Sequence, residues 1–182
     1  MSDEKKIDEL VKKAKQGDQN SFCDIYELFL VPVFRYILFR VSSEKDAEDL
    51  TEEIFFKILQ KIDKYQKREN LPFSTWVFRI AKNSLIDFYR QQKKWEEISE
   101  DIVDDSENAN FRKKISSAFD RIYLNKALKS LPENQAQSII LKFFSDRNNS
   151  EIAQILGKSE VAVRILQSRG LKKLKTILDN NF

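Results

Sequence analysis

Phe22, Ile25, Phe29, Val33, Ile37 and Val41 recur at three- and four-residue steps, the spacing that gathers side chains on one face of an α-helix. This stripe predicts an amphipathic helix that Pro32 kinks or divides. Gly17-Asp18 and Ser42-Ser43 punctuate the pattern on either side. Ser43 is placed to cap a second helix, with Glu44 and Asp46 in its first turn, where the helix dipole favours negative charge. That helix carries Leu50, Ile54, Ile58 and Ile62 on one stripe. A further helix runs from Phe73 to about Tyr89, with Trp76, Ile80 and Asn83 at helical spacing and Pro72 marking the loop before it.

The periodicity then lapses. From Trp95 to about Asn110 the chain holds Glu96, Glu97, Glu100, Asp101, Asp104, Asp105 and Glu107 with no Lys or Arg between them, the composition of a solvated, flexible linker. Helical patterning resumes afterwards, and Leu131-Pro132-Glu133 opens a new helix with proline in its first turn, where the missing N–H costs nothing. Ile139, Ile140, Phe143 and Phe144 supply its buried face. No alternating strand pattern occurs. The expectation is an all-α protein of two small helical domains, 1–94 and 121–182, joined by an acidic linker over 95–120.

Within the second domain, Ser150-Glu151-Ile152-Ala153-Gln154-Ile155-Leu156-Gly157-Lys158-Ser159 reads as a short helix and a tight turn. A second helix follows from about Glu160 to Leu174. Ile152, Ala153 and Leu156 face inward, Gly157 takes the turn and Ser159 caps the second helix, which together make a helix-turn-helix. Val163, Leu166, Gly170 and Leu174 fall on its packing side, leaving Arg164, Gln167, Ser168, Lys172 and Lys175 elsewhere. Arg and Gln are the side chains that read base edges bidentately, whereas Lys and Ser more often hold phosphates.

Charge sharpens this picture. The whole chain carries a formal net charge of only +3, too little to imply a nucleic-acid partner. Between Lys158 and Lys175, however, Lys158, Arg164, Arg169, Lys172, Lys173 and Lys175 meet a single acid, Glu160. The second helix of the motif is therefore a DNA-binding candidate. With no histidine in the sequence, the usual general base, the usual zinc ligand and every Ser-His or Cys-His nucleophile are excluded. Cys23, the one cysteine, cannot form an intramolecular disulfide and is expected to be a small core residue of a reducing compartment. No apolar run approaches the ~20 residues of a membrane span. A cytoplasmic protein with no cofactor, no metal and no direct membrane insertion is expected.

Leu131-Pro132-Glu133, Ser150-Glu151-Ile152-Ala153, Leu156-Gly157, Ser159, Val163-Arg164, Arg169 and Leu174 together resemble the C-terminal domain of bacterial sigma factors. The first domain resembles the same family. Gly17-Asp18, Phe22 and Tyr26 are similar to its opening helix, and Asp46-Ala47-Glu48-Asp49-Leu50, Glu53 and Phe55 to its polymerase-binding helix. Phe73-Ser74-Thr75-Trp76, Arg79-Ile80-Ala81, Asn83 and Asp87 are similar to its minus-ten-binding helix. Three such motifs in this order, around an acidic linker and with no further domain, resemble the extracytoplasmic-function (ECF) subgroup. The match covers nearly the whole chain outside the linker and tail.

The resemblance implies a non-enzymatic sigma factor that binds core RNA polymerase and directs promoter recognition, melting and transcription initiation. Its partners would be the clamp helices and flap of the large polymerase subunits, duplex and single-stranded promoter DNA, and an anti-sigma factor. It assigns polymerase binding to Asp46, Glu48, Asp49, Leu50, Glu53, Ile54 and Phe55, an acidic stripe with apolar anchors suited to a basic helical partner. The minus-ten element would fall to Lys67, Arg68, Asn70, Phe73, Ser74, Trp76, Arg79, Lys82, Asn83 and Arg90, which offer aromatics, amides and cations for single-stranded DNA. The minus-thirty-five element would fall to Ser159, Glu160, Arg164, Gln167, Ser168, Arg169 and Lys172. The family pattern breaks at Ile165-Leu166-Gln167, where an expected arginine is absent, so no promoter preference carries over.

Two other readings fit parts of the sequence. A polymerase-independent helix-turn-helix regulator would bind duplex DNA alone and favour a palindromic site. An all-α enzyme built on Asp/Glu and Mg²⁺ has no motif to organise its carboxylates.

Overall fold

The computed structural model describes residues 3–67, 71–98 and 124–179. Four helices form the first unit: α1 (Asp3–Ala14), α2 (Gln19–Leu38), α3 (Glu44–Lys61) and α4 (Phe73–Ile98), with a 3-10 turn at Ile62–Lys64 after α3. The second unit contains α5 (residues 124–129), α6 (Glu133–Phe143), α7 (Asn149–Leu156) and α8 (Glu160–Asp179). Among the described residues there is no β-sheet, as the all-α expectation requires. Residues 99–123, which include most of the acidic linker, lie outside this description, and α4 itself continues past the expected boundary to Ile98.

The local signals in the sequence set the helix starts. Asp18 caps α2 by accepting from the Ser21 amide, and Ser43 caps α3 by accepting from the Asp46 amide at 3.0 Å. Pro132 stands one residue before α6 rather than inside its first turn. Pro32 neither divides nor ends α2, which runs unbroken through it. An interior proline costs about 3 kcal/mol. Ile25, Phe29, Val33 and Ile37 are all buried on one stripe of the same helix, at ~1.5–3 kcal/mol each, and this outweighs the lost hydrogen bond.

Ala47, Leu50, Ile54 and Ile58 of α3 and Phe73, Val77, Phe78, Ala81 and Leu85 of α4 complete the core of the first unit. In the second, Leu128, Ile139, Ile140, Ile152, Ile155, Val163 and Leu174 are buried. Two expectations about single residues fail. Cys23 is exposed on α2, because it follows Phe22 on a helix whose buried stripe passes through Ser21 and Ile25. Phe143 ends α6 and is 55% exposed, while Phe144 takes the inward role by packing on Phe39 with ring centroids 4.3 Å apart.

The two units share one continuous hydrophobic cluster among the described residues, because α7 packs against α4. The two small helical domains expected from the sequence are both present, and in this structure they also touch through α4 and α7.

Candidate polymerase and nucleic-acid interfaces

On α3 the acids Glu48, Asp49, Glu52 and Glu53 are exposed, and Asp46 is partly so beside its Ser43 cap. Leu50, Ile54 and Phe55 are buried, Phe55 packing edge-on to Tyr26 with ring centroids 4.6 Å apart. These three cannot anchor a partner without unfolding the unit, which corrects the apolar half of the expected docking face. Phe56 and Leu59, 60% and 50% exposed, stand in their place. With Asp49, Glu52 and Glu53 on neighbouring turns, they make a mixed acidic and apolar surface. Helical spacing agrees: Phe56 falls opposite the stripe Leu50, Ile54, Ile58 and Ile62, whereas Phe55 lies at its edge.

Along α4, Arg79, Asn83, Ile86 and Arg90 occupy an exposed stripe at positions i, i+4, i+7 and i+11. Arg90 pairs with Asp87 at 3.5 Å. At the N-terminal end of this stripe a cavity of about 260 Å³ is lined by Lys64, Tyr65, Gln66, Leu71, Pro72, Trp76 and Arg79. Trp76 is half-buried, with its ring 5.1 Å from that of Tyr65 and 5.2 Å from that of Phe73. The Tyr65 hydroxyl is buried and makes no hydrogen bond among the described residues.

Several minus-ten candidates are occupied otherwise. Phe73 is core, buried between Phe29 and Tyr65. Ser74 is buried and donates to Glu151 Oε1 at 2.5 Å. Lys67 forms an ion pair with Asp8, which raises its pKa chiefly through that hydrogen bond. Arg68 and Asn70 lie outside the described residues.

The helix-turn-helix forms as the spacing predicts, with Gly157 in the left-handed region at φ 66° closing α7. The cap of α7 is Asn148, two residues before the stretch that the sequence marks as its start. Asn148 and Glu151 make a reciprocal capping box, each bond 2.9 Å long. Ser159 caps α8 by accepting from the Ala162 amide at 3.2 Å, so its hydroxyl oxygen is committed to the helix. Arg164, Ser168, Arg169 and Lys172 are exposed, and Glu160 faces Arg164 at 3.6 Å. Gln167 is half-buried and donates through Nε2 to Asn149 Oδ1 at 3.0 Å, which ties α8 to the start of α7. It braces the motif and does not face outward. Gly170 lets α8 approach α6, since a Cβ there would stand 2.7 Å from Ile139 Cδ1.

Between the units, Arg79 donates twice to the Gln154 carbonyl, at 3.2 and 3.0 Å, and Lys82 donates to the Ile155 carbonyl at 3.3 Å. Both cations thus sit at the C-terminal end of α7, the negative end of its dipole. Glu151, buried where α7 begins, takes Ser74 from one unit and Arg147 from its own, the latter at 2.9 Å. Arg147 also lies over the Phe78 ring, 5.4 Å from its centroid. Among the described residues no cluster of His, Cys, Asp or Glu could hold a metal ion, and no helix is long and apolar enough to cross a membrane.

Residues 25–95 match the model for sigma-70 region 2 and residues 127–176 match that for sigma-70 region 4. The ECF RNA polymerase sigma factor BldN of Streptomyces coelicolor is 29% identical, over 99% of this chain and 69% of that protein. RNA polymerase sigma factor SigZ of Bacillus subtilis is 30% identical, over 86% of each chain. Among solved structures, CnrH bound to the cytosolic domain of CnrY shares the fold with a TM-score of 0.74 at 22% identity, over 95% of this chain and 97% of that one. RpoE of Bartonella quintana bound to the anti-sigma factor NepR does so with a TM-score of 0.68 at 24% identity, over 86% and 97%. The chain belongs to the sigma-70 family of RNA polymerase sigma factors, in its ECF subgroup.

Proposed function

We propose that the chain docks on core RNA polymerase through the acidic and apolar face of α3, captures melted minus-ten DNA along α4, and reads duplex minus-thirty-five DNA with α8. The observation that carries this reading is the order of matched regions, region 2 over the α3 and α4 faces and region 4 over the helix-turn-helix. Capturing a base from the melted strand costs a few kcal/mol of unstacking. The Tyr65 and Trp76 cavity offers aromatic surface to offset that cost, and Arg79, Lys82, Asn83 and Arg90 offer phosphate and base-edge contacts.

The protein makes and breaks no bond itself in this reading, and it acts in the cytoplasm where polymerase and DNA are found. Its fold is one that an anti-sigma factor can grip, as in the Bartonella quintana complex, and an inhibitor of that kind fits here. Run-off transcription tests the proposal. Purified chain plus core polymerase should initiate at discrete promoters enriched from a genomic library, with no product from either component alone. Arg164→Ala should weaken binding of the upstream element by about 1–3 kcal/mol if Arg164 makes a bidentate base contact. Tight, palindrome-selective binding without core polymerase, and no initiation with it, would favour an independent regulator.

A further inference from the structure

Val163, Gly170 and Leu174 are the buried residues of α8. At 3.6 residues per turn the opposite side of the helix is the line Val161, Ile165, Ser168 and Lys172, and all four are exposed. Arg164 and Arg169, also exposed, flank it. The N-terminal half of the most outward stripe is therefore apolar, with Val161 63% and Ile165 46% exposed. Neither residue serves the core, and both are β-branched, which slightly disfavours a helix. Their surroundings are cationic: Lys158, Arg164, Arg169, Lys172, Lys173 and Lys175 meet only Glu160. That charge selects duplex DNA as the partner of this face.

Recognition helices contact base edges with their N-terminal residues, where Val161 and Ile165 stand. Neither side chain can hydrogen-bond. The one apolar feature a base pair presents in the major groove is the thymine C5-methyl group. We propose that Val161 and Ile165 read thymine methyl groups in the upstream promoter element, making them specificity-determining residues beside Arg164. The proposal rests on the sigma-factor reading and extends it to a base class.

The test uses the full chain with core polymerase. Upstream-element duplexes are selected from a randomised library, and each thymine is then replaced singly by deoxyuridine, which removes only the methyl group. Wild type should lose about fourfold in affinity at one or more positions, equivalent to ~0.8 kcal/mol for one buried carbon at 1.36 kcal/mol per tenfold. Ile165→Ser or Val161→Ser should abolish that sensitivity at its own position, and Ile165→Val should keep it. Indifference of wild type to deoxyuridine, undiminished sensitivity in both serine variants, or an enriched element without thymine on either strand overturns the proposal and leaves the sigma reading intact. Loss of core-polymerase binding in Ile165→Ser, with methyl discrimination unchanged, would make this face a protein interface and also overturn it. Failure to enrich any sequence with core polymerase present would sink the sigma reading itself and this inference with it.

Discussion

Asp18 accepts from the Ser21 hydroxyl at 2.5 Å and from the Ser21 amide at 3.3 Å, and the hydroxyl bond above all holds its carboxyl below the ordinary 3.8. A carboxyl lowered in the folded state stabilises fully above its unfolded value and loses that contribution as pH falls through the folded one. Asp18→Asn keeps a capping acceptor that cannot titrate. Its unfolding temperature should fall less steeply than that of wild type below pH 3.8, and parallel curves would dispose of the cap's role. Gly170 works by volume instead. Gly170→Ala puts a methyl 2.7 Å from Ile139 Cδ1 and 3.2 Å from Gln135 Cβ, and Ile139 is itself buried. Overpacking of that kind costs ~1–3 kcal/mol, against a helix-propensity gain of about 1 kcal/mol. Urea unfolding should show net destabilisation, and Ile139→Val, which deletes the clashing carbon, should make the alanine neutral or favourable.

At the scale of one helix, α3 divides its labour between two sides. Ile54→Ala should cost ~2–5 kcal/mol, as large-to-small changes in a packed core do. The double substitution Asp49→Lys and Phe56→Ser touches only exposed side chains and should leave stability nearly unchanged, within ~0.5 kcal/mol per site. If this face meets polymerase, the double variant should bind core roughly tenfold more weakly or worse, as expected when charge complementarity and a central apolar contact are both lost. Retained core affinity with an unchanged unfolding midpoint would remove α3 from the interface. The acidic register of this face was readable in sequence. Its apolar member Phe56 was readable as well, because it lies opposite the stripe Leu50, Ile54, Ile58 and Ile62, and that same stripe marks Leu50 and Ile54 as core.

Across the molecule, the contact between α4 and α7 has a buried centre and an exposed rim. At the centre, Glu151→Ala would leave Arg147 and Ser74 without their partner and undo the α7 capping box. Breaking a buried pair from one side costs ~3–5 kcal/mol, and the thermal midpoint should drop accordingly. At the rim, Arg79 is exposed, so Arg79→Ala should cost little stability, within about 1 kcal/mol. It does remove two bonds to the Gln154 carbonyl. Small-angle scattering should then show a larger radius of gyration than wild type, and an unchanged radius would mean that Arg79 does not help to hold the units together.

The principal helices, the Ser43 and Ser159 caps, the helix-turn-helix and the family were legible in the sequence alone, because a helical period, a capping serine or a turn glycine is a relation between residues a few places apart; the Asp18 and Asn148 caps were missed. It also located the basic second helix of the motif, since charge needs no partner to be counted. Tertiary packing was needed to decide that Phe144 rather than Phe143 turns inward, that Gln167 turns to Asn149, and that Val161 and Ile165 lead the free face of α8. Only the tertiary structure could join Ser74, Arg79 and Lys82 to α7, because those contacts pair residues more than seventy positions apart and depend on how whole helices pack.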